Sequence, residues 1–460
     1  MLVLLLAASI DFARVFPPLS KQQADYAAAM TKLESRRSVE AYEEALTAFE
    51  RLDAYLYLRA SIDTTDVQSK EAEEALSADF ETRTASFLRE IARANKRGRY
   101  AHFAATVHNP APAALDLSDL PDRETRASAL IRLARANKNA ASEAYARGGL
   151  TKADVTRLLD AVAAETPRFR AYLAMRAGHA SKAAPHYTID DARAILPRAA
   201  APFGPAYVAE LTKLLDPANG RFDSGPGEHR RRGGFSKGFP GFDSVFYMQA
   251  FTGTYNDLRV IAHEGTHAVQ RQLEAKNKVP PVYINGPKFL SESYAMVNEL
   301  LLPAMLASET SDPALKQFFL EQFLDSKGIA IIFRTAAEAA LEQAIYDDPS
   351  IRTADDLDAL TARVAERFAV SNFDWKTIRL MFEDPFYDVN YTFGGLVALR
   401  LHGRTSKLGP LIANGFTAPP DQLLRSLAGI DMRDPNFVRD ALETLQPKID
   451  ELAAVYRSEP

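Results

Sequence analysis

The sequence predicts a mainly α chain of two helical lobes, with a small β-element placed directly before one distinctive helix. Three observations carry this. Apolar residues recur at three- and four-residue steps through roughly the first 200 residues. Pro185, Pro197, Pro202 and Pro205 then interrupt the periodicity, as expected where one lobe ends. Finally, an aromatic stretch at 243–251 (DSVFYMQAF) reads as a strand and leads through Gly253 into a helix carrying His263-Glu264-Gly265-Thr266-His267. The expected division is an N-terminal helical lobe over 1–205 and a second lobe over 206–460 that bears this helix.

Taken in order, Leu2 to Ile10 is an apolar run that lacks a basic flank and a small-x-small cleavage site. It is too short to span a bilayer. Two readings stand: the apolar start of a packed helix, or a signal peptide, which would place the protein in the periplasm or outside the cell instead of the cytoplasm. Val39, Tyr42, Leu46, Phe49, Leu52 and Leu56 mark a helix with Ser38 as N-cap, and Leu76, Phe80, Phe87 and Ile91 mark further helical turns. No fixed-period repeat is visible. The glycine-rich stretch 220–242 lacks the order of a phosphate loop. Its Arg230-Arg231-Arg232 run reads first as a solvated loop, with binding of a substrate carboxylate as the other option. Thr254 and Asp257 predict a capping box at the start of the motif helix. Beyond it, Asn285-Gly286-Pro287 predicts a helix start with proline at the first helical position, and Pro303 its end. Further helices are expected over 313–347, over 353–368 and after Tyr391.

Composition excludes several functions. A net charge of −5 offers no basic face for nucleic acid. The absence of cysteine removes disulfides, thiolate metal ligands and a cysteine nucleophile. No segment reaches membrane length, so stable membrane insertion is not expected. The oligomeric state cannot be read from composition.

The HExxH order supplies the chemistry. Positions i and i+4 of a helix share a face, so His263 and His267 can reach one metal ion. Glu264 between them is placed to hold and deprotonate a water on that metal. A catalytic zinc takes three protein ligands, so a third is required. With no cysteine and only eight histidines, an acid is the natural choice. The candidate is Glu292, in the second turn of the next helix, while Glu274 and Glu309 stay open. Glu274 extends the motif helix itself and points along its axis. Glu299, seven residues after Glu292, shares its face; one acid would coordinate and the other would orient a histidine. Gly265 inside the helix costs about 1 kcal/mol relative to alanine, a cost tolerated where another backbone approaches closely. The strand at 243–251, if exposed beside the metal, could pair with an extended peptide.

These residues resemble the thimet/oligopeptidase F group of zinc peptidases, the M3 peptidases. His267 and Glu292 stand 25 positions apart, the spacing of that group's third ligand. Phe289, Glu292, Asn298 and Glu299 are in register with its third-ligand helix, Phe251–Asp257 with the segment entering its metal helix, and Gly234-Phe235 with an upstream element. Arg59–Asp66 is similar to its N-terminal helical region. Asp384-Pro385-Phe386-Tyr387-Asp388-Val389-Asn390-Tyr391-Thr392-Phe393-Gly394 is similar to its PFYxYxYxxG element. The blocks are scattered over roughly 50–450.

The resemblance implies two helical lobes around a central cleft, with a small β-sheet next to an HExxH zinc helix. It implies one Zn2+ held by His263, His267 and Glu292, with Glu264 as general base and Tyr387 and Tyr391 binding substrate and stabilising the oxyanion. It implies internal cleavage of short peptides. A related HExxH carboxypeptidase and a non-catalytic zinc-binding helical protein are the alternatives. Three departures bear on oxyanion stabilisation and substrate positioning more than on metal binding: Gly265-Thr266 within the motif, Leu380 where the group has histidine, and Val389 at the middle tyrosine.

Overall fold

The computed structural model describes residues 9–85, 88–94, 100, 102–103, 114–284 and 286–458; residues 1–8 of the apolar N-terminal run, Phe87 and Asn285 lie outside them. The chain forms two compact units, each assembled from three segments. The first comprises 1–107, 184–286 and 405–419, and the second 108–183, 287–404 and 420–460. Among the described residues, no helix is long and apolar enough to cross a membrane.

In the first unit the helices Leu19–Arg36, Val39–Ile62 and Val67–Ala85 pack side by side. Ser38 caps the second of them through its side chain, which accepts from the Ala41 N–H as its position predicts. The three- and four-residue spacing places Val39, Leu52, Leu56, Leu76, Phe80 and Ile91 in one buried cluster. Ile10 is buried with Leu58, Val245 and Tyr247 in a second cluster.

The sheet has three strands, β1 (Phe222–Asp223), β2 (Gly234–Phe239) and β3 (Phe242–Met248), in the order β1-β3-β2. β1 runs parallel to β3, and β2 pairs antiparallel with it, with an irregularity between Lys237 and Phe239. The strand expected over 243–251 is therefore β3, but it is the central strand and ends at Met248. Both of its edges are taken, so the expectation that it pairs with a peptide is corrected. Its sequence already carries the reason: Val245, Phe246, Tyr247 and Met248 are all buried, without the alternation of a strand that faces solvent on one side.

In the arginine run, Arg231 and Arg232 are exposed, as the solvated-loop reading expects, whereas Arg230 is half-buried and structural. Arg230 is ion-paired at 2.5 Å with the buried Asp223, and donates to the Gln249 and Met248 carbonyls at 2.8 and 3.0 Å. Its guanidinium lies 4.7 Å from the centre of the Tyr247 ring, while Arg231 stacks on Tyr57 at 4.8 Å. Arg230 ties the glycine-rich loop to the sheet, because a charge drawn out of water needs partners.

In the second unit the helix Ile329–Asp347 packs against Lys152–Ala164, Ala354–Phe368 and Asp388–His402, and the last of these also packs along Lys288–Glu309. Thr353 and Asp356 form a capping box before Ala354–Phe368, where the sequence placed a helix start. Three boundaries differ from expectation. Lys288–Glu309 takes Pro287 as its N-cap and runs through Pro303. Leu302, Leu306 and Ala307 are buried on either side of that proline, so packing outweighs the lost hydrogen bond. The stretch 313–347 is two α-helices, Pro313–Glu321 and Ile329–Asp347, joined by a π-helical segment, Gln322–Gly328. The helix placed after Tyr391 begins earlier, at Asp388.

Candidate metal centre

The motif helix spans Tyr255–Lys276 and opens on the expected capping box. Thr254 Oγ1 accepts from the Asp257 N–H, while the Asp257 carboxylate accepts from Thr254 N at 3.0 Å and from Thr252 N and Oγ1 at 2.7 and 2.8 Å. Gly253 has φ +85°, and the His186 ring fills the space where a side chain would project, so the turn into the helix demands glycine. The rings of His263 and His267 are 5.0 Å apart at 84°. His267 is buried; His263 and Glu264 are half-buried.

The unusual Gly265-Thr266 pair has a packing reason. A methyl group on Gly265 would stand 3.3 Å from Leu211 Cδ1 and 4.0 Å from Leu214 Cδ2, both on the helix Pro205–Leu215. Side chains, not the backbone expected from sequence, make the close approach. Thr266 is fully buried; its hydroxyl lies 2.7 Å from the Ala262 carbonyl and 2.8 Å from the Tyr207 hydroxyl. The pair therefore seats the motif helix on its neighbour.

Glu292 is buried on Lys288–Glu309. The helix Asp388–His402 can lie close to it because residue 394 is glycine: a Cβ there would stand 3.0 Å from the Phe289 carbonyl oxygen and 3.3 Å from Glu292 Cβ. The Tyr387 hydroxyl donates to Glu292 Oε1 at 2.7 Å. Burial, and then the Glu292 carboxylate beside it, push the Tyr387 phenol well above its ordinary pKa, so it is protonated at neutral pH. The Tyr391 ring stands 5.4 Å from that of Tyr387, and Lys327 Nζ lies 5.7 Å from the Tyr391 centroid. Glu299 is buried and pairs with Lys327 at 3.4 Å. Sequence reasoning missed Lys327, because it sits in the π-helical segment, where helical periodicity does not say which residues face inward. Val389, in place of the middle tyrosine, is buried, and Leu380 is half-buried.

One ligand atom each from His263, His267 and Glu292 lies within 4.8 Å of the other two, the one such group of histidines and acids among the described residues. Glu274 is buried and accepts from Gln270 Nε2 at 2.9 Å, and Glu309 is exposed at its helix end; neither joins the group. Two imidazole nitrogens and one carboxylate oxygen are a donor set that suits zinc. Donors bound to one ion at about 2.1 Å stand at most about 4.2 Å apart, so small side-chain rotations would close the group on a metal.

The mainly helical fold with a small three-stranded sheet matches the oligoendopeptidase fold. Three solved structures share it: a protein of Chlamydophila abortus assigned as a peptidase (TM-score 0.75, 17% identity, 97% of this chain and 98% of that one); one of Bacillus anthracis assigned as an oligoendopeptidase F (0.66, 15%, 98% and 99%); and PZ peptidase A (0.65, 15%, 95% and 98%). In sequence, the chain is 28% identical over 244 residues to the plasmid oligoendopeptidase F of Lactococcus lactis subsp. cremoris, and 27% identical over 245 residues to its chromosomal counterpart. Each match covers 48% of this chain and 39% of the relative, so the chain matches well under half the length of these curated relatives. No family model matches the chain. The likenesses support the resemblance to the M3 oligopeptidases carried by the motifs.

Proposed function

We propose that the chain is a zinc-dependent peptidase that cuts internal bonds of short peptides. The observation that carries this reading is the convergence of His263, His267 and Glu292, with Glu264 next in the chain to the first histidine. Its likeness to oligoendopeptidase F enzymes supports the same class of reaction.

His263, His267 and Glu292 would hold one zinc ion, which when bound would make water a stronger acid and polarise the scissile carbonyl. Glu264 takes the proton of the attacking water and passes it to the leaving amine. The Tyr387 hydroxyl, donating to Glu292 Oε1, steadies that carboxylate. Tyr391 offers a phenolic O–H to the oxyanion that develops as the carbonyl becomes tetrahedral.

The test is a digest of a mixed peptide library by the zinc-loaded chain, with and without chelator, read as cleavage positions by mass spectrometry. Internal cuts that vanish on chelation and return with zinc are expected. Loss of single C-terminal residues would replace the endopeptidase assignment with a carboxypeptidase. No cleavage at all would sink the peptidase reading.

A further inference from the structure

We propose that Glu342 is a positioning residue of the metal centre: it holds the Asp384-Pro385-Phe386-Tyr387 turn by the Phe386 N–H and so seats the Tyr387 hydroxyl on Glu292. The proposal rests on the reading of Glu292 as a metal ligand.

The turn is closed by Tyr387 N–H donating to the Asp384 carbonyl at 3.1 Å, with Pro385 and Phe386 as its two central residues. Phe386 has φ +67°. Proline followed by a residue of positive φ is the pattern of a type II turn, whose second central position belongs to glycine or asparagine. A bulky side chain persists there only where its surroundings over-determine it.

The surroundings supply that. The Phe386 N–H, which the turn's own hydrogen bond leaves unused, donates to Glu342 Oε2 at 2.9 Å, and Glu342 is 1% exposed. The Phe386 ring is buried edge-on against Tyr346 at 4.7 Å and Tyr145 at 5.6 Å. Glu342 and Tyr346 stand four residues apart on Ile329–Asp347, so one helix face presents both the acceptor and a ring. A buried backbone N–H needs an acceptor, and no side chain of the turn provides one.

From this anchor the chain leads directly to the site. The Tyr387 carbonyl accepts from Asn390 N at 2.8 Å and Asn390 Nδ2 at 2.9 Å, which opens the helix Asp388–His402, while its hydroxyl reaches Glu292. Burial pushes the Glu342 carboxyl well above its ordinary range against the opposing Phe386 N–H, and the Asp388, Asp384 and Glu338 carboxylates push it further. The Phe386 N–H asks only for an acceptor oxygen at this place, a part that a glutamine can also play.

Zinc affinity, measured by competition with a chromophoric chelator, tests this. Tyr387→Phe is expected to weaken zinc about 10-fold, as loss of a partner to a metal ligand does. Glu342→Met should weaken it equally, and the double variant should be no weaker than either, because both remove the same contact. Glu342→Gln should stay within about twofold of the unaltered chain. Independent effects that multiply to about 100-fold in the double variant, or unaltered affinity in Glu342→Met, would overturn the proposal. Should Glu342→Met fail to fold, Glu342→Asp, which draws the acceptor back by one methylene, replaces it in the same cycle. An unaltered chain that holds no zinc overturns the metal reading and this proposal together. One that holds zinc but cuts no peptide overturns only the peptidase reading, and the affinity cycle still decides.

Discussion

His263 and His267 were legible in the sequence because four residues make about one helical turn, and local spacing alone puts both rings on one face. Glu264 carries the sharpest prediction at this scale. Glu264→Gln removes the proton acceptor and none of the three grouped ligands, so zinc content should stay while turnover falls about 100-fold or more. Peptide cleavage measured beside metal analysis checks both halves, and substantial residual turnover would remove Glu264 from the general-base role. Thr266 predicts a different outcome. Thr266→Val loses the contact with the buried Tyr207 hydroxyl, costing about 1 kcal/mol. For a chain of 460 residues that corresponds to a melting temperature lower by about 1 °C in calorimetry.

At the scale of elements, the close approach of Asp388–His402 to Lys288–Glu309 depends on Gly394. Gly394→Ala would bring a methyl group against the Phe289 carbonyl, which is backbone and cannot rotate away. The expected cost is about 1–3 kcal/mol, seen as a lower denaturant midpoint. Zinc affinity should weaken as well, because the displaced helix carries Tyr387 and faces Glu292; unchanged stability and affinity would show that the helices separate without cost. The capping box at Thr254 was readable because it is set within four residues. The course of Lys288–Glu309 through Pro303 was not, since the apolar partners that keep it helical come from elsewhere in the chain.

For the molecule as a whole, stability should respond to metal and to pH. Zinc binding only the folded chain raises its melting temperature in proportion to the logarithm of free zinc, and a chelator should lower melting temperature and peptide cleavage together. A melting curve indifferent to chelator would deny the group a metal. His402 sets an acid limit. Burial, with Lys448 nearby, lowers its pKa to about 4 from the ordinary 6.5. The unfolded chain therefore takes up a proton between about pH 6.5 and 4 that the folded chain refuses, so this contribution is complete above about 6.5 and is lost as pH falls towards 4. His402→Gln should lose less stability than the unaltered chain between pH 7.5 and 5. A stability difference that stays constant over that range would refute the assignment.

By itself the sequence determined the mainly helical class, the strand before the motif helix, the two histidines, Glu264 and a short set of acids for the third ligand. These depend on periodicity, caps and spacing, which act over a few residues. Tertiary structure brought Glu292, the candidate on the next helix, to the histidines and left Glu274 and Glu309 out, since that choice depends on how two helices pack. It made β3 central and drew Arg230 from a solvated loop into the sheet's support. It also put Tyr387 on Glu292 and Glu342 behind Phe386. Each of these outcomes turns on how buried groups find partners across long stretches of chain, and a local pattern does not encode that.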